Sequence, residues 1–144
     1  MLIKLIVIGK VKDKLLLSKI NEFQKWISGH AKLEVTELKD CGKSAASARQ
    51  LEAAIRENGY LFVMDERGKE FSSQEFAAHI KRIDKKMIFV IGGPDGITDE
   101  LKNRADTLMA LSKMTFTHEM ARMFLTEQIY RAISIIKGGK YHRE

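Results

Sequence analysis

Five short apolar runs recur along the chain, each separated from the next by a stretch with helical spacing. They are LIKLIVI (2–8), LEVTEL (33–38), YLFVMD (60–65), MIFVI (87–91) and TLMALS (107–112). The first, third and fourth are apolar almost throughout, as strands buried on both faces are, whereas LEVTEL alternates like a strand with one face exposed. Between the runs, Leu16, Ile20, Phe23 and Ile27 recur at helical spacing, and Gly29 ends that segment. AASARQLEAAIREN is a second helix, ended by Gly59. Ser72 and Glu75 form a capping box opening a third, with Phe71 and Phe76 spaced to staple it. Thr98 caps a fourth, whose first turn carries Asp99 and Glu100. From about His118 the residues Phe124, Leu125, Ile129, Ala132, Ile133 and Ile136 make one apolar face, and Gly138-Gly139 end it before the tail KYHRE. The segments DCGKSAAS, ERGKEFSS and KMTFTHE are predicted loops. Regular β-α alternation over 144 residues predicts a single domain, residues 1–144, with an α/β fold doubly wound about a mainly parallel sheet.

Composition narrows the class. A hydrophobic fraction of 44% fills a core, and one proline with no low-complexity stretch argues against disorder. No apolar run approaches the roughly 20 residues that span a bilayer. MLIKLIVIG has no small-residue cleavage site after it and is predicted to be the first strand, not a signal peptide. Cys41 is the only cysteine. With no disulfide to make and no histidine near it in sequence, it fits an ordinary thiol in a reducing cytoplasm. His30, His79, His118 and His142 are scattered without ligand spacing, so no metal site is expected; His79, inside a helix, is expected at the surface. The net charge is +6, with the excess at both ends of the chain. That suits one composite surface for a polyanion and equally suits ordinary solvated faces.

In a parallel α/β sheet, ligands sit beyond the carboxyl ends of the strands. The loops that qualify are 65–73, 92–97 and 113–119. Gly92, Gly93 and Gly96 in FVIGGPDG lack the spacing of a dinucleotide fingerprint and follow the fourth strand instead of the first. No P-loop motif occurs either. Glycines at a strand exit let main-chain groups meet a flat ligand. Pro94-Asp95-Gly96 also reads as a plain turn. The residues alone leave both open.

Three stretches together go further: MDERGKEFSSQEFA (64–77), FVIGGPDG (89–96) and LSKMTFTHEMARMFLTEQIYRAISIIKGGKYHRE (111–144). They resemble the bacterial ribosomal RNA large-subunit methyltransferase H family, of the SPOUT class, over nearly the whole chain. The resemblance implies a C-terminal trefoil knot, a homodimer and no metal. It implies methyl transfer from S-adenosylmethionine to N3 of a pseudouridine in 23S rRNA of assembled ribosomes, in the cytoplasm. Carried over residue by residue, it puts the cofactor contacts at Met64, Gly92, Leu111, Ser112, Lys113, Met114, Thr115 and Phe116. Gly92 is expected to leave room for the ligand. In the tail it points to Tyr141, His142 and Arg131 as catalytic, with His142 helping to remove the N3 proton, and to Arg122 and Arg143 as RNA contacts. It also implies that Phe124, Ile129, Ile133 and Ile136 help make the twofold interface. Thr117 stands where the family commonly has proline, and Lys140 where a proline or small residue often precedes Tyr-His. A non-catalytic RNA-binding module and a small nucleotide-binding enzyme are the competing readings. The cofactor segment 111–116 argues against the first and the glycine spacing against the second.

Overall fold

The computed structural model describes residues 1–40, 45–56 and 58–143; Cys41 and most of its predicted loop lie outside them. The elements alternate without exception: β1 (Leu2–Ile8), α1 (Lys14–Ser28), β2 (Lys32–Leu38), α2 (Ala45–Ile55), β3 (Tyr60–Glu70), α3 (Ser73–Lys81), β4 (Met87–Ile91), α4 (Asp99–Arg104), β5 (Thr107–Ala110) and α5 (His118–Ile136). The five strands form one sheet in the order β2-β1-β4-β3-β5, and every pairing is parallel.

Alternation of side chains along each strand builds two cores. Ile3, Leu5 and Val7 of β1, with Met87, Phe89 and Ile91 of β4, face α1, α3 and α5. Ile6 and Ile8, with Ile88 and Val90, face α2 and α4 through Leu51 and Leu101. Because β1 and β4 are paired at the centre and buried on both sides, their sequences are apolar but for Lys4, whose ammonium reaches the Ala54 carbonyl. The helices that follow them leave to opposite faces, which opens a crevice at the carboxyl ends of these strands.

Local signals act where the sequence places them. Asp13 caps α1 by accepting from the Leu15 and Leu16 amides. Ser72 and Glu75 close a complete capping box on α3, and Phe71 and Phe76 meet with ring centroids 6.2 Å apart. Thr98 caps α4 and Thr117 caps α5, its hydroxyl accepting from the Met120 amide.

Two expectations need correction. His79 is half-buried, not a surface residue. Its Nε2 lies 3.2 Å from the Tyr60 hydroxyl and its ring 5.2 Å from that of Phe71. Burial first, then the positive charges of Lys69 and Arg82, hold the imidazole below its ordinary pKa. An apolar pocket beneath a helix favours the neutral ring, and helical spacing alone did not reveal that Phe71 and Tyr60 would supply it.

The segment ERGKE, expected as loop, continues β3 to Glu70. Met109 is partnered by Met64 and again by Lys69, so residues 65–68 leave the ladder and rejoin it. On the way the chain passes over the backbone of β5 at Gly68. A Cβ there would fall 2.6 Å from the carbonyl carbon and oxygen of Leu108 and from the Met109 nitrogen. No side chain fits between two backbones at that separation. Gly68→Ala is therefore expected to destabilise the fold by about 2–3 kcal/mol, lowering the melting temperature by roughly 5–10 °C for a chain of this size. Calorimetric melting checks this, and an unchanged transition would mean the crossing is looser than described.

Candidate functional site

A cavity of about 810 Å³ opens at the carboxyl edge of the sheet. That lies within the range of pockets that hold cofactor-sized ligands. Its walls come from three strand exits and one helix start: Met64 to Glu66 after the paired part of β3, Ile91 to Ile97 after β4, Leu111 to Thr117 after β5, and His118, Glu119 and Ala121 of α5. Seven of the eight residues expected to contact a cofactor line it, namely Met64, Gly92, Leu111, Ser112, Met114, Thr115 and Phe116. Lys113 is not part of the wall.

The glycine loop is both of the things its sequence left open. Gly96, at φ +79°, donates its N–H to the Gly93 carbonyl at 3.0 Å, closing a turn over Pro94 and Asp95, and the same turn forms a wall of the cavity. Gly92 and Gly93 also have a packing reason to be glycine. A Cβ on Gly92 would strike Ile97 at 2.7 Å, and one on Gly93 would strike Ile8 at 2.9 Å. The missing side chains let the loop pack onto the second core. The loop offers the cavity main chain together with Pro94 and Asp95.

The segment after β5 is shaped by its own polar groups. The Ser112 hydroxyl accepts from the Met114 amide at 3.1 Å, and Thr115 Oγ1 donates to Glu66. Met114 remains 74% exposed, and Phe116 stacks loosely on Phe124 at 5.2 Å. Asp65 pairs with Lys102 at 3.3 Å across the rim. The wall thus combines thioether and aliphatic surface, exposed main-chain groups and the carboxylates of Asp65, Glu66 and Asp95. That set suits a ligand with an apolar ring system and a cationic centre. Among the described residues no cluster of histidine, cysteine or carboxylate side chains could hold a metal ion.

Sequence reasoning missed two residues of α5 that build this corner. Glu119 Oε1 accepts from the backbone N–H of Lys12 at 2.6 Å and of Asp13 at 3.3 Å, tying the β1–α1 loop to the start of α5. His118 lines the cavity beside it and also borders the β1–α1 loop at Gly9. Both stand among the residues quoted for the resemblance, but their partners are more than a hundred positions away. No spacing within a helix signals such a contact.

The expected catalytic and RNA residues fall elsewhere. Arg122 is only 5% exposed and donates to the exposed Glu37 at 2.8 Å, so it is a buried cation tying α5 to β2, not one presented to RNA. A guanidinium buried in this way is held by its partner and lost to external phosphate. Tyr141 and His142 fold back on the end of α5. Arg131 donates to Glu127 at 2.6 Å and to His142 Nδ1 at 3.1 Å, and its guanidinium lies 4.7 Å from the Tyr141 ring centroid. Tyr141 donates to Glu127 at 3.0 Å and packs edge-on against Tyr130. Burial first, and then the bond to Glu127, push its phenol above the ordinary pKa. With Nδ1 accepting from Arg131, a neutral His142 carries its proton on Nε2, so no lone pair on the ring is free in this arrangement. Arg143 is exposed. Of the four apolar residues expected at a twofold interface, Ile129 and Ile133 are fully buried in this chain's own core, leaving Phe124 and Ile136 half-exposed. The tail cluster packs on α5 at Glu127, Tyr130 and Arg131, which begin six residues, about 9 Å of helix, beyond Ala121, the last residue of α5 on the cavity wall. None of the tail residues lines the cavity.

A parallel α/β sheet with a cofactor-sized cavity at its carboxyl edge, walled by the exits of β3, β4 and β5, defines a ligand-binding α/β domain. The family model described as "Predicted SPOUT methyltransferase" matches residues 1–142. The chain belongs to this family: it is a SPOUT methyltransferase, and S-adenosylmethionine is the methyl donor that such enzymes use. Among similar proteins is the ribosomal RNA large subunit methyltransferase H of Christiangramia forsetii, 37% identical over 155 residues that cover 99% of both chains. The enzyme of the same name from Geobacter sulfurreducens is 38% identical over 99% of each chain, and that of Enterococcus faecalis 34% over 99% of this chain and all of its own. A solved structure, a probable methylase family protein from Haemophilus influenzae Rd KW20, superposes with a TM-score of 0.61 at 11% identity. It covers 99% of this chain and 70% of its own, and so supports the fold alone.

The wall suits that donor. Met64, Leu111 and Met114 can pack an adenine, main-chain groups of the Gly92 and Leu111–Phe116 segments can meet its polar edge, and the rim carboxylates complement a sulfonium. Because Gly92 is fixed against Ile97, Gly92→Ala is expected to cost about 1–3 kcal/mol of stability as well as donor affinity. Leu111→Arg, which fills the cavity without touching that packing, should remove binding and leave the melting temperature near that of the parent. Titration calorimetry beside thermal melting checks the pair; a Gly92→Ala protein that melts normally would mean the loop yields.

Proposed function

We propose that the chain methylates N3 of a pseudouridine in 23S rRNA of assembled ribosomes, as a cytoplasmic homodimer. What supports this reading is likeness along the entire chain, at 34–38% identity, to enzymes named for the ribosomal RNA large subunit, combined with an intact donor cavity. When bound, S-adenosylmethionine supplies an electrophilic methyl carbon and leaves as S-adenosylhomocysteine. The chain's own residues must then hold the donor, bring the base to it and take up the N3 proton.

The tail supports the dimer. Tyr141, His142 and Arg143 line no part of their own chain's cavity while they pack on α5, so a second copy across a twofold axis is what would bring one subunit's tail to the other's cavity. Arg131 and Glu127 act as its holders: they fix Tyr141 and His142, and release of His142 Nδ1 from Arg131 would free a lone pair for the departing proton. The family's knot belongs to the same proposal. Its supporting observation is the passage of residues 65–70 over β5 at Gly68, immediately before the segment that walls the cavity.

Mass spectrometry of rRNA from cells with and without the protein tests the reading directly; the loss of one methyl group on a large-subunit pseudouridine is expected. Deleting residues 141–144 should leave donor affinity within about twofold, since the tail does not line the cavity, and lower methyl transfer to ribosomes by 100-fold or more, about the least that a positioned proton acceptor contributes. Full activity of the truncated protein would remove the tail from the mechanism.

A further inference from the structure

We infer that the β1–α1 loop and the adjoining end of β2 form the phosphate-binding surface that docks RNA beside the cavity, with Lys10, Lys12 and Lys39 as its contacts. The inference rests on the rRNA reading and deepens it, because it moves the RNA contacts from Arg122 and Arg143 to the exposed lysines of a corner that the buried Arg122 also borders.

Three independent observations place these lysines together and next to the methyl donor. The register pairs Ile8 with Leu38, and the Gly9 amide donates to the Leu38 carbonyl at 2.8 Å, so the chain leaves β1 and β2 side by side and Lys10 and Lys39 follow at once. The cavity's glycine loop touches this corner, since a Cβ on Gly93 would meet Ile8 at 2.9 Å and Asp40 at 3.5 Å. The third is Glu119, on the cavity wall, which accepts from the Lys12 and Asp13 amides. Glu119 is thus a positioning residue that holds the lysine loop against the cavity.

The charge balance of the corner points outward. Some cations elsewhere are answered by carboxylates: Lys19 by Glu22, Lys86 by Glu34, Arg104 by Glu52. Lys10, Lys12 and Lys39 are exposed. The acids around them point their oxygens at other groups: Asp13 at the cap of α1, Glu37 at Arg122 and Glu119 at two backbone amides. Asp40 lies in the same corner and also has a partner. Three exposed ammonium groups on a corner fixed beside a methyl-donor cavity match the phosphates of an RNA strand, for which a lysine serves as a compact point charge. Protein partners would call for an apolar centre in such a patch, and the exposed side chains here are lysines.

Charge reversal tests the surface. Lys10→Glu/Lys12→Glu/Lys39→Glu is compared with Lys81→Glu/Arg82→Glu/Lys85→Glu, which makes the same change of net charge at the amino edge of the sheet. A Lys→Gln version of the first triple serves if reversal disturbs folding. Each is assayed as the full-length protein for S-adenosylmethionine binding and for methyl transfer to ribosomes lacking the modification, over a range of salt. The first triple should keep donor affinity within about twofold and lose kcat/KM for ribosomes on the order of tenfold or more. Its salt dependence should be flatter by about two in the log–log slope, from three contacts at ~0.7 each. The control triple should stay within about threefold. Equal losses in both triples would mean that only net charge matters and would overturn the inference, as would full activity of the first triple. If the parent protein binds donor but methylates no ribosome, the rRNA reading falls and this surface falls with it; if the parent is active and the lysines are dispensable, only the surface falls.

Discussion

The contact on which the site depends is that between Gly68 and the Leu108–Met109 peptide of β5. It is a backbone-on-backbone approach, and it fixes where the chain can go next. β5 is only four residues long, too short to be held firmly by its own ladder. Pinned on one side by Val63 and Met64 and re-engaged by Lys69 and Glu70, it cannot slide. The segment 111–117 that walls the cavity begins at its last residue. Thr115 then bonds to Glu66, within the very excursion that passes over β5, so the two strand exits brace one another. A cofactor cavity needs walls that do not collapse when empty, and this cross-brace supplies one.

Much of this was legible in the sequence, and the reasons differ by element. β1 and β4 read clearly because central strands of a parallel sheet are buried on both faces and so are apolar almost throughout. The caps at Ser72 and Thr98 read clearly because a helix start has a local polar requirement. The course of residues 66–70 did not, since ERGKE carries charged side chains typical of a loop. What makes it a strand is hydrogen bonding to β5, a partner about 40 positions away. Gly92 was identified correctly as a residue of the cavity wall, but its packing on Ile97 is a contact that spacing cannot reveal. Arg122 shows the converse limit. An arginine in a helix looks like a surface cation until its burial in the fold and its bond to Glu37 of β2 are seen.

The charges of this chain divide into two kinds of work. Arg122–Glu37, Asp65–Lys102 and the Arg131–Glu127–Tyr141 cluster join elements to each other. They are partly or wholly shielded and add little to any external field. The net charge of +6 is therefore expressed by side chains left over from that task, the lysines of the β1–α1 corner among them. Non-specific phosphate attraction by such residues alone would bind naked RNA weakly and with steep salt dependence. Under the proposed function, selectivity comes from the shape of the ribosomal target and from the second subunit.

The central claim is that donor cavity and tail, which do not meet within one chain, act on one nucleotide only when two copies combine. Mixed dimers measure this most directly. A chain lacking residues 141–144 is co-expressed with a full-length chain carrying Leu111→Arg, and methyl transfer to unmodified ribosomes is compared with that of each variant alone. Each homodimer should be inactive. Random pairing should restore about a quarter of the parent's sites, because half of the dimers are mixed and each mixed dimer keeps one cavity opposite one intact tail. No recovery from mixed dimers that still bind the donor would contradict the account and assign the tail to its own chain.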